Sequence, residues 1–396
     1  MRVIGLISGT SVDGIDAALV EVEGQGYDLT VTLIEGLTHA YSADLRQQVL
    51  RMCAGESVSL EHLAALDDAV AYAFAAAAQA LIDRSGDVDL VASHGQTVFH
   101  RPVGRPALPN QGSSPKLVRL GYTLQLGRGA VLAQQVGLPT VSDFRQADIE
   151  AGGEGAPLVP IVDLCLLSHP TERRCVQNLG GIGNVAYLPP WDRQGHRPPP
   201  KVLGWDTGPA NSLIDIAMSN LSAGALTYDC DGVWAAQGTP CQFLIDAWLE
   251  HPYFLQPPPK STGRELFGWD FFQQCHQAAQ ERGLNSRDLI ATLTEFTAAT
   301  VAHAYRTFLP HLPDRVLVGG GGSHNPVLMA HLQAYLPESS VQSTDAVGLA
   351  ASYKEAIAFA VLGYWQRQGF PANLPAVTGA SSSVVLGRFN KPLPNF

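Results

Sequence analysis

The chain has 396 residues, of which 46% are hydrophobic and only 15% charged, and 25 basic against 36 acidic side chains give a formal charge of −11. A single core stops growing at roughly 250–300 residues, so the length predicts two domains, and the apolar fraction excludes global disorder. The acidic balance excludes a basic nucleic-acid footprint, although backbone amides at a loop or helix start still hold small anions without any basic residue.

In chain order, residues 2–8 (RVIGLIS) predict a strand, GTSVDG a tight turn, and IDAALVEVEG a second strand. The N-terminal apolar run is too short for a signal peptide. A long helix is expected from about Leu60 to Arg84. Its most apolar part, AVAYAFAAAAQALI from Ala69, lies between Asp68 and Asp83 and falls short of the ~20 residues of a membrane span. It therefore reads as a buried, alanine-rich helix, with no membrane partner. DLVAS predicts a strand ending at Ser93, and LPTVSDF another ending near Phe144. Near residue 175 the opening plan returns as CVQNL, GGIGN and VAYLPP, which suggests a duplicated, two-lobed architecture. A strand is expected to end at Trp205, followed by a helix beginning LIDIAM with Asn211 or Ser212 as its cap. The segment from Asp288 to Leu309 predicts a helix, RVLVGGGG from Arg315 a strand running into glycines, and ASYKEAIAFAVLGYWQRQG a helix stopped by Gly369. Strands alternating with long helices argue an α/β fold. VGRPALPNQGSSPK, PPWDRQGHRPPP and QPPPKSTGRE read as loops, and the Pro-, Gly- and Ser-rich tail after Gly369 as partly ordered. The six cysteines show no C-x-x-C spacing, which predicts a reducing cytoplasm and no structural zinc.

Four segments carry candidate chemistry. In ISGTSVDGID, Gly9 and Gly14 free the backbone while Thr10 and Ser11 add hydroxyl donors. Successive amides from Gly9 through Val12, Asp13 and Ile15 to Asp16 would form a nest for nucleotide phosphates, with Asp13 or Asp16 holding Mg²⁺ through water. The competing reading is an ordinary hairpin whose Asp-Gly turn needs those residues anyway. QNLGGIGNVAYL offers Gly180 and Gly181 for close backbone approach to a ligand, or again a plain hairpin turn. In LGWDTGPANSLID, Asp206 stands where a strand gives way to the Thr207–Gly208–Pro209 turn, a usual place for a reacting carboxylate, or else for a cap without chemistry. VLVGGGGSHNP places Gly319, Gly320, Gly321 and Gly322 between a strand and a helix capped by Ser323 or Asn325 with Pro326 in its first turn. A flat ligand such as adenine against bare backbone would account for four adjacent glycines, and a flexible hinge is the alternative. Two polar strand-end clusters suggest a substrate wall: His94, Gln96, Thr97 and His100 in SHGQTVFHRP, and Asp143, Arg145, Asp148 and Glu154 in SDFRQADIEAGGEGAP. Arg145 is suited to grip a carboxylate.

These segments, together with YDCDGVWAAQG, PPPKSTGRELF and KEAIAFA, resemble in order and over nearly the whole chain the 1,6-anhydro-N-acetylmuramic acid kinase family of the sugar kinase, heat-shock chaperone and actin superfamily. The resemblance implies a two-lobed actin-like, ribonuclease H-like ATPase fold with a duplicated mixed-sheet core and an interlobe cleft. Residues 1–140 with 351–396 would form the first lobe and 141–350 the second. It further implies an ATP- and Mg²⁺-dependent kinase of peptidoglycan recycling, cytoplasmic and homodimeric, that opens the 1,6-anhydro ring while phosphorylating the sugar. By the same resemblance Asp206 is the catalytic base. Gly9 to Asp16, Gly180, Gly181, Gly208 and Gly320 to Gly322 would serve ATP. His94, Gln96, Thr97, Arg145 and Glu355 would serve the sugar, with Arg145 on its lactyl carboxylate. The chain departs from the family pattern at Arg128, where an acidic or amide residue is usual, and in a long loop between Pro102 and Leu120. Two other readings keep part of this picture: a kinase of another amino sugar without ring hydrolysis, and a non-enzymatic actin-like ATP switch.

Overall fold

The computed structural model describes residues 1–9, 11–101, 121–193 and 199–394. It divides into two compact units, residues 1–166 with 353–396 and residues 167–352. The first boundary falls later than the sequence places it. Strand Thr140–Ser142 and the segment after it stay with the first unit, because that strand pairs in parallel with Leu90–Arg101 and antiparallel with Arg388–Asn390.

In the first unit the strands are β1 (Arg2–Ser8), β2 (Ile15–Gln25), β3 (Asp28–His39), β4 (Leu90–Arg101), β5 (Tyr122–Leu126) and β6 (Thr140–Ser142). β1, β2 and β3 form an antiparallel meander, then β4 pairs in parallel with β1 and β6 with β4, while β5 adds antiparallel to β4. One face of this sheet buries Ile4, Leu6, Ala17, Leu19 and Val91 with Val70, Phe74, Ala77 and Leu81 of helix Leu60–Ser85. That helix is long and apolar enough to cross a membrane by length and composition; here one side of it, from Leu66 to Leu81, is buried in the core, while Leu60 and Tyr72 are exposed. On β1 also packs helix Lys354–Gln368, and its approach demands glycine. A Cβ on Gly5 would sit 1.8 Å from the Ala356 carbonyl oxygen, so no other residue permits this approach.

The second unit contains β7 (Arg174–Leu179), β8 (Gly183–Leu188), β9 (Leu203–Gly208), β10 (Arg315–Gly319) and β11 (Ser340–Ser343) in the order β11-β10-β7-β8-β9. β7, β8 and β9 are antiparallel, and β10 and β11 continue in parallel on the other side of β7. The order β3-β2-β1-β4-β6 is thus repeated as β9-β8-β7-β10-β11. The fold is a duplicated mixed-sheet α/β architecture with the strand order of the actin-like, ribonuclease H-like kind. Helix Ser286–Phe308 is buried along most of its length, entered through a capping box between Asn285 and Asp288.

Two sequence expectations are corrected. β4 does not end at Ser93 but runs to Arg101, bulging at Gly95, where φ is +75°; the polar residues 94–100 therefore lie on a strand and not in a loop. The described part of the tail after Gly369 carries regular structure: Pro375–Thr378 is helical, and β12 (Arg388–Asn390) returns to pair with β6. None of the six cysteines, all of them among the described residues, takes part in a disulfide.

Candidate active site

In the first unit, the turn between β1 and β2 carries a marked backbone distortion. Val12, buried and β-branched, holds φ at +54°, a conformation that such residues adopt only under constraint. The constraint is visible. Val12 N–H donates to the Gly9 carbonyl at 3.2 Å. Arg46, on helix Ala43–Cys53, donates to the Val12 carbonyl at 2.9 Å and the Ser11 carbonyl at 3.4 Å, and meets the Asp13 carboxylate at 3.0 Å. With these carbonyls tied to one guanidinium, the turn is held in a shape that leaves room beside Gly9, where a Cβ would meet nothing within 4 Å. Nothing in the sequence pattern singles out Arg46. Gly14 is required differently, its missing Cβ making room for Thr38 at 2.7 Å. Thr10 lies outside the described residues.

Gln96 is fully buried beneath this turn. Its Nε2 donates to the Gly9 carbonyl at 3.2 Å, and Tyr41 donates to its Oε1 at 3.4 Å. It supports the turn from within the protein. Thr97 accepts from Gln125 Nε2 at 3.1 Å. His94 and Arg145 meet directly: Arg145 Nε donates to His94 Nε2 at 3.0 Å, and His94 Nδ1 lies 2.9 Å from the Gly95 carbonyl. These contacts fix the neutral tautomer with the proton on Nδ1. Burial, reinforced by the Arg145 charge, pushes the His94 pKa down to about 3. Arg145 Nη1 donates to the Gly155 carbonyl at 3.0 Å, and Nη2 makes no hydrogen bond to a described residue. Burial lowers the Arg145 pKa to about 10, with the Glu355 carboxylate opposing, so the guanidinium stays charged at neutral pH.

Glu355 is the second residue of the helix that rides on Gly5. Burial raises its carboxyl pKa, Lys354 and Arg145 pull it back, and Asp16 and Asp163 push it further up. Asp16 is raised by burial too, with Thr38 donating to its Oδ1 at 2.7 Å. Three segments far apart in sequence, around Asp16, Arg145 and Glu355, therefore share one electrostatic neighbourhood. Beneath them Lys354 and Asp163, both nearly inaccessible, pair at 2.7 Å. Arg128, the departure noted in the sequence, pairs with Asp68 of helix Leu60–Ser85 in a surface ion pair. The 102–120 loop lies outside the described residues.

In the second unit, Asp206 lies within β9, paired across to Asn184, two residues short of the strand end. Its backbone is held on both sides: its N–H donates to the Lys260 carbonyl at 3.2 Å, and Tyr253 O–H to its own carbonyl at 2.7 Å. Thr262 N–H donates to Oδ2 at 2.9 Å, and Oδ1 has no partner among the described residues. Burial pushes the carboxyl up to about 7; the Thr262 N–H opposes this shift and the Glu265 charge adds to it. Such a carboxylate is poised to take a proton near neutral pH. Lys260 stacks over Tyr253 and Phe308, and burial lowers its pKa to about 8.

The glycines of the second unit divide into two groups. Gly208, at φ +147°, packs against Phe254 and Thr300. Gly320, at φ +79°, would drive a Cβ to 2.6 Å from Asn178 Oδ1, and Gly322 to 2.7 Å from Leu179 Cβ. Packing inside the protein accounts for these three. Gly321 and Gly180 have open space or ordinary contacts and no left-handed φ, so their lack of a side chain has no cause within the chain and fits the close approach of a ligand. Gly180 and Gly181 offer their carbonyls to the Asn211 and Ser212 N–H groups at 3.0 Å, and Asn211 Nδ2 donates to the Leu179 carbonyl at 2.9 Å. Asn211 thus clamps the glycine turn where the sequence suggested a side-chain cap. Asn325 does cap its helix, accepting from Val327 and Leu328 N–H at 3.1 Å. In YDCDGVWAAQG, buried Asp229 accepts from Trp234 and Ala235 N–H at 2.9 Å, shaping the loop that sets Gly232 against Asn325.

Comparison with known proteins agrees with the motifs. The model of the anhydro-N-acetylmuramic acid kinase family matches residues 1–391. The anhydro-N-acetylmuramic acid kinase of Acaryochloris marina is 56% identical over 391 residues, covering 98% of this chain and 100% of the relative. That of Cyanothece sp. is 55% identical over 390 residues, covering 98% and 99%. Among solved structures, component A of the (R)-2-hydroxyglutaryl-CoA dehydratase of Acidaminococcus fermentans covers 93% of this chain and 99% of its own, at a TM-score of 0.44 and 10% identity, too distant to bear on activity. The chain belongs to the anhydro-N-acetylmuramic acid kinase family.

Proposed function

We propose that this protein is an ATP-dependent kinase that opens the 1,6-anhydro ring of 1,6-anhydro-N-acetylmuramic acid and phosphorylates O6, giving N-acetylmuramic acid 6-phosphate and ADP in peptidoglycan recycling. Family membership over residues 1–391 carries the reading. On it, Asp206 takes a proton from water as that water bonds to C1 and the C1–O6 bond breaks. The freed O6 bonds to the γ-phosphorus, and the bond from that phosphorus to the β–γ bridging oxygen breaks to release ADP. No further base is needed, because O6 leaves carbon without a proton and is captured by phosphorus. The Asp206 carboxyl near pKa 7 and its open Oδ1 support this role.

Arg145, held by His94 and Gly155, would present Nη2 to the sugar's lactyl carboxylate, with Glu355 beside it and Thr97 on the same strand as His94. The Gly9–Asp16 turn, held by Arg46 and Gln96, would receive phosphates, and Gly180 and Gly321 would allow close approach of the nucleotide. Among the described residues no three His, Cys, Asp or Glu side chains gather as a metal cage. Asp13 is engaged by Arg46, while Asp16 has one oxygen bonded to Thr38. This donor set fits a Mg²⁺ held chiefly by phosphate oxygens and water, with Asp16 reached through water; when bound, the ion would neutralise charge on the transferring phosphoryl group. A cytoplasmic homodimer is the compartment and assembly this reading carries, and light scattering checks the second.

The test is ADP release with ATP and Mg²⁺, comparing the anhydro sugar, N-acetylmuramic acid and no sugar. ADP formed with the anhydro sugar alone is expected. Equal activity with both sugars would mean a kinase without coupled hydrolysis, and sugar-independent turnover would overturn the kinase reading.

A further inference from the structure

We propose that Asp148 and the C-terminal residues Asn373 and Thr378 are positioning residues that set Arg145 for its carboxylate-bearing substrate, so that the tail is a working part of the sugar site. This rests on the reading of Arg145 given above.

Asp148 is fully buried, on the short helix Gln146–Glu150 directly after Arg145. A carboxylate withdrawn from water needs donors, and it has three. Oδ2 accepts from Gly155 N–H at 2.8 Å, and Oδ1 accepts from Asn373 Nδ2 and Thr378 Oγ1, both at 2.7 Å. Asn373 and Thr378 are themselves almost wholly inaccessible. Asn373 is locked in turn, its Oδ1 accepting from Val384 N–H at 2.7 Å. The loop is shaped to close on this carboxylate: a Cβ on Gly153 would fall 2.2 Å from Asp148 Oδ2, and Gly155 adopts φ +71°. Two further bonds stitch the loop to the tail, Glu154 N–H to the Thr378 carbonyl and Ser381 N–H to the Ala151 carbonyl, each at 2.8 Å.

Gly155 links the two halves of this arrangement. Its N–H is fixed by Asp148, and its carbonyl receives Arg145 Nη1 at 3.0 Å. The same peptide segment that the tail secures through Asp148 is one of the two supports of the guanidinium, His94 being the other. Neither Asn373 nor Thr378 needs to touch substrate to matter. Removing their donors frees Gly155 to shift, and the planar fork of Arg145 loses the geometry on which a two-bond grip of a carboxylate depends.

The test compares Thr378→Val, Thr378→Ser and Asn373→Leu with wild type, measuring KM separately for the anhydromuramic sugar, for ATP and for the neutral sugar 1,6-anhydro-N-acetylglucosamine. Thr378→Val and Asn373→Leu should raise KM for the acidic sugar by about tenfold, as expected when the enzyme grips its substrate's carboxylate less well. KM for ATP and for the neutral sugar should stay within about twofold. Thr378→Ser, which keeps the hydroxyl, should restore the wild-type values. A tail that merely stabilises the fold would lower the active fraction without this split, and KM values unchanged in Thr378→Val would overturn the proposal. Arg145→Ala separates the two claims. If it raises KM for the acidic sugar while Thr378→Val does not, the positioning role fails and Arg145 keeps its role. If it leaves that KM unchanged, the reading of Arg145 itself fails.

Discussion

Replacing Asp206 by Asn would remove a charge that burial opposes while keeping the side-chain shape and an oxygen for the Thr262 N–H to bond. The carboxyl pKa rises from 3.8 to about 7 in the folded protein. At 1.36 kcal/mol per unit, holding it ionised at pH 8 costs on the order of 4 kcal/mol. The sign follows from proton binding. The folded state holds this proton more tightly than the unfolded state, so stability is highest below the unfolded pKa and is lost as pH rises through about 7. Asp206→Asn should therefore melt higher than wild type at pH 8, by about 5 °C for a chain of this length, and by little at pH 4. The same substitution should cut turnover at least ~100-fold, the usual loss for a general base. In the wild type, kcat/KM should climb with pH and level off above about 7. A variant that melts lower than wild type at pH 8 would refute the buried-charge argument, and near-normal turnover would remove Asp206 from the reaction.

Three other substitutions test separate parts of the account. Gly321→Ala should leave the melting temperature unchanged yet raise KM for ATP severalfold, whereas Gly320→Ala should destabilise the fold by about 1–3 kcal/mol, because its φ and its closeness to Asn178 both exclude a side chain; the opposite pattern in thermal melts would contradict the division of the glycines. Lys354→Met strands the buried Asp163 carboxylate and should cost about 3–5 kcal/mol in denaturant unfolding, and an unchanged midpoint would show that the pair is dispensable. Arg46→Ala should raise KM for ATP and spare KM for the sugar, since it releases the carbonyls of Ser11 and Val12; an equal rise for both substrates would mean general loosening.

The parts of the fold written in local pattern were legible in the sequence. Alternating apolar residues around glycine turns marked β1–β2 and β7–β8, and those two hairpins anticipated the repeated strand order. Asn325 followed by Pro326, and Gly369 after an apolar helix, marked helix ends that the structure keeps. What escaped depends on tertiary contact. The continuation of β4 past Ser93 was hidden because the residues after it are polar and Gly95 breaks the alternation, while the neighbour that completes the strand, β5, lies about 25 residues downstream. The tail's composition reads as loop, yet its order comes from Asp148, more than 220 residues away in sequence. Arg46 occupies an ordinary amphipathic helix, and only the folded turn reveals which carbonyls it meets. Among the candidate site residues, Arg145 and His94 were visible as polar groups after expected strand ends, whereas Glu355 was reached only through the family resemblance. That Gln96 supports the turn from beneath, and that Gly208, Gly320 and Gly322 have packing reasons of their own, emerges only from the folded chain.

The central claim is that water attacks C1 while O6 captures the phosphoryl group. Its most direct test is a single turnover in ¹⁸O-labelled water, quenched within seconds and read by mass spectrometry of the product and its fragments. The account predicts one ¹⁸O on C1 of the sugar 6-phosphate and none in its phosphate group. Label in the phosphate, or in free inorganic phosphate formed in step with ADP, would mean that water attacks phosphorus and would contradict it.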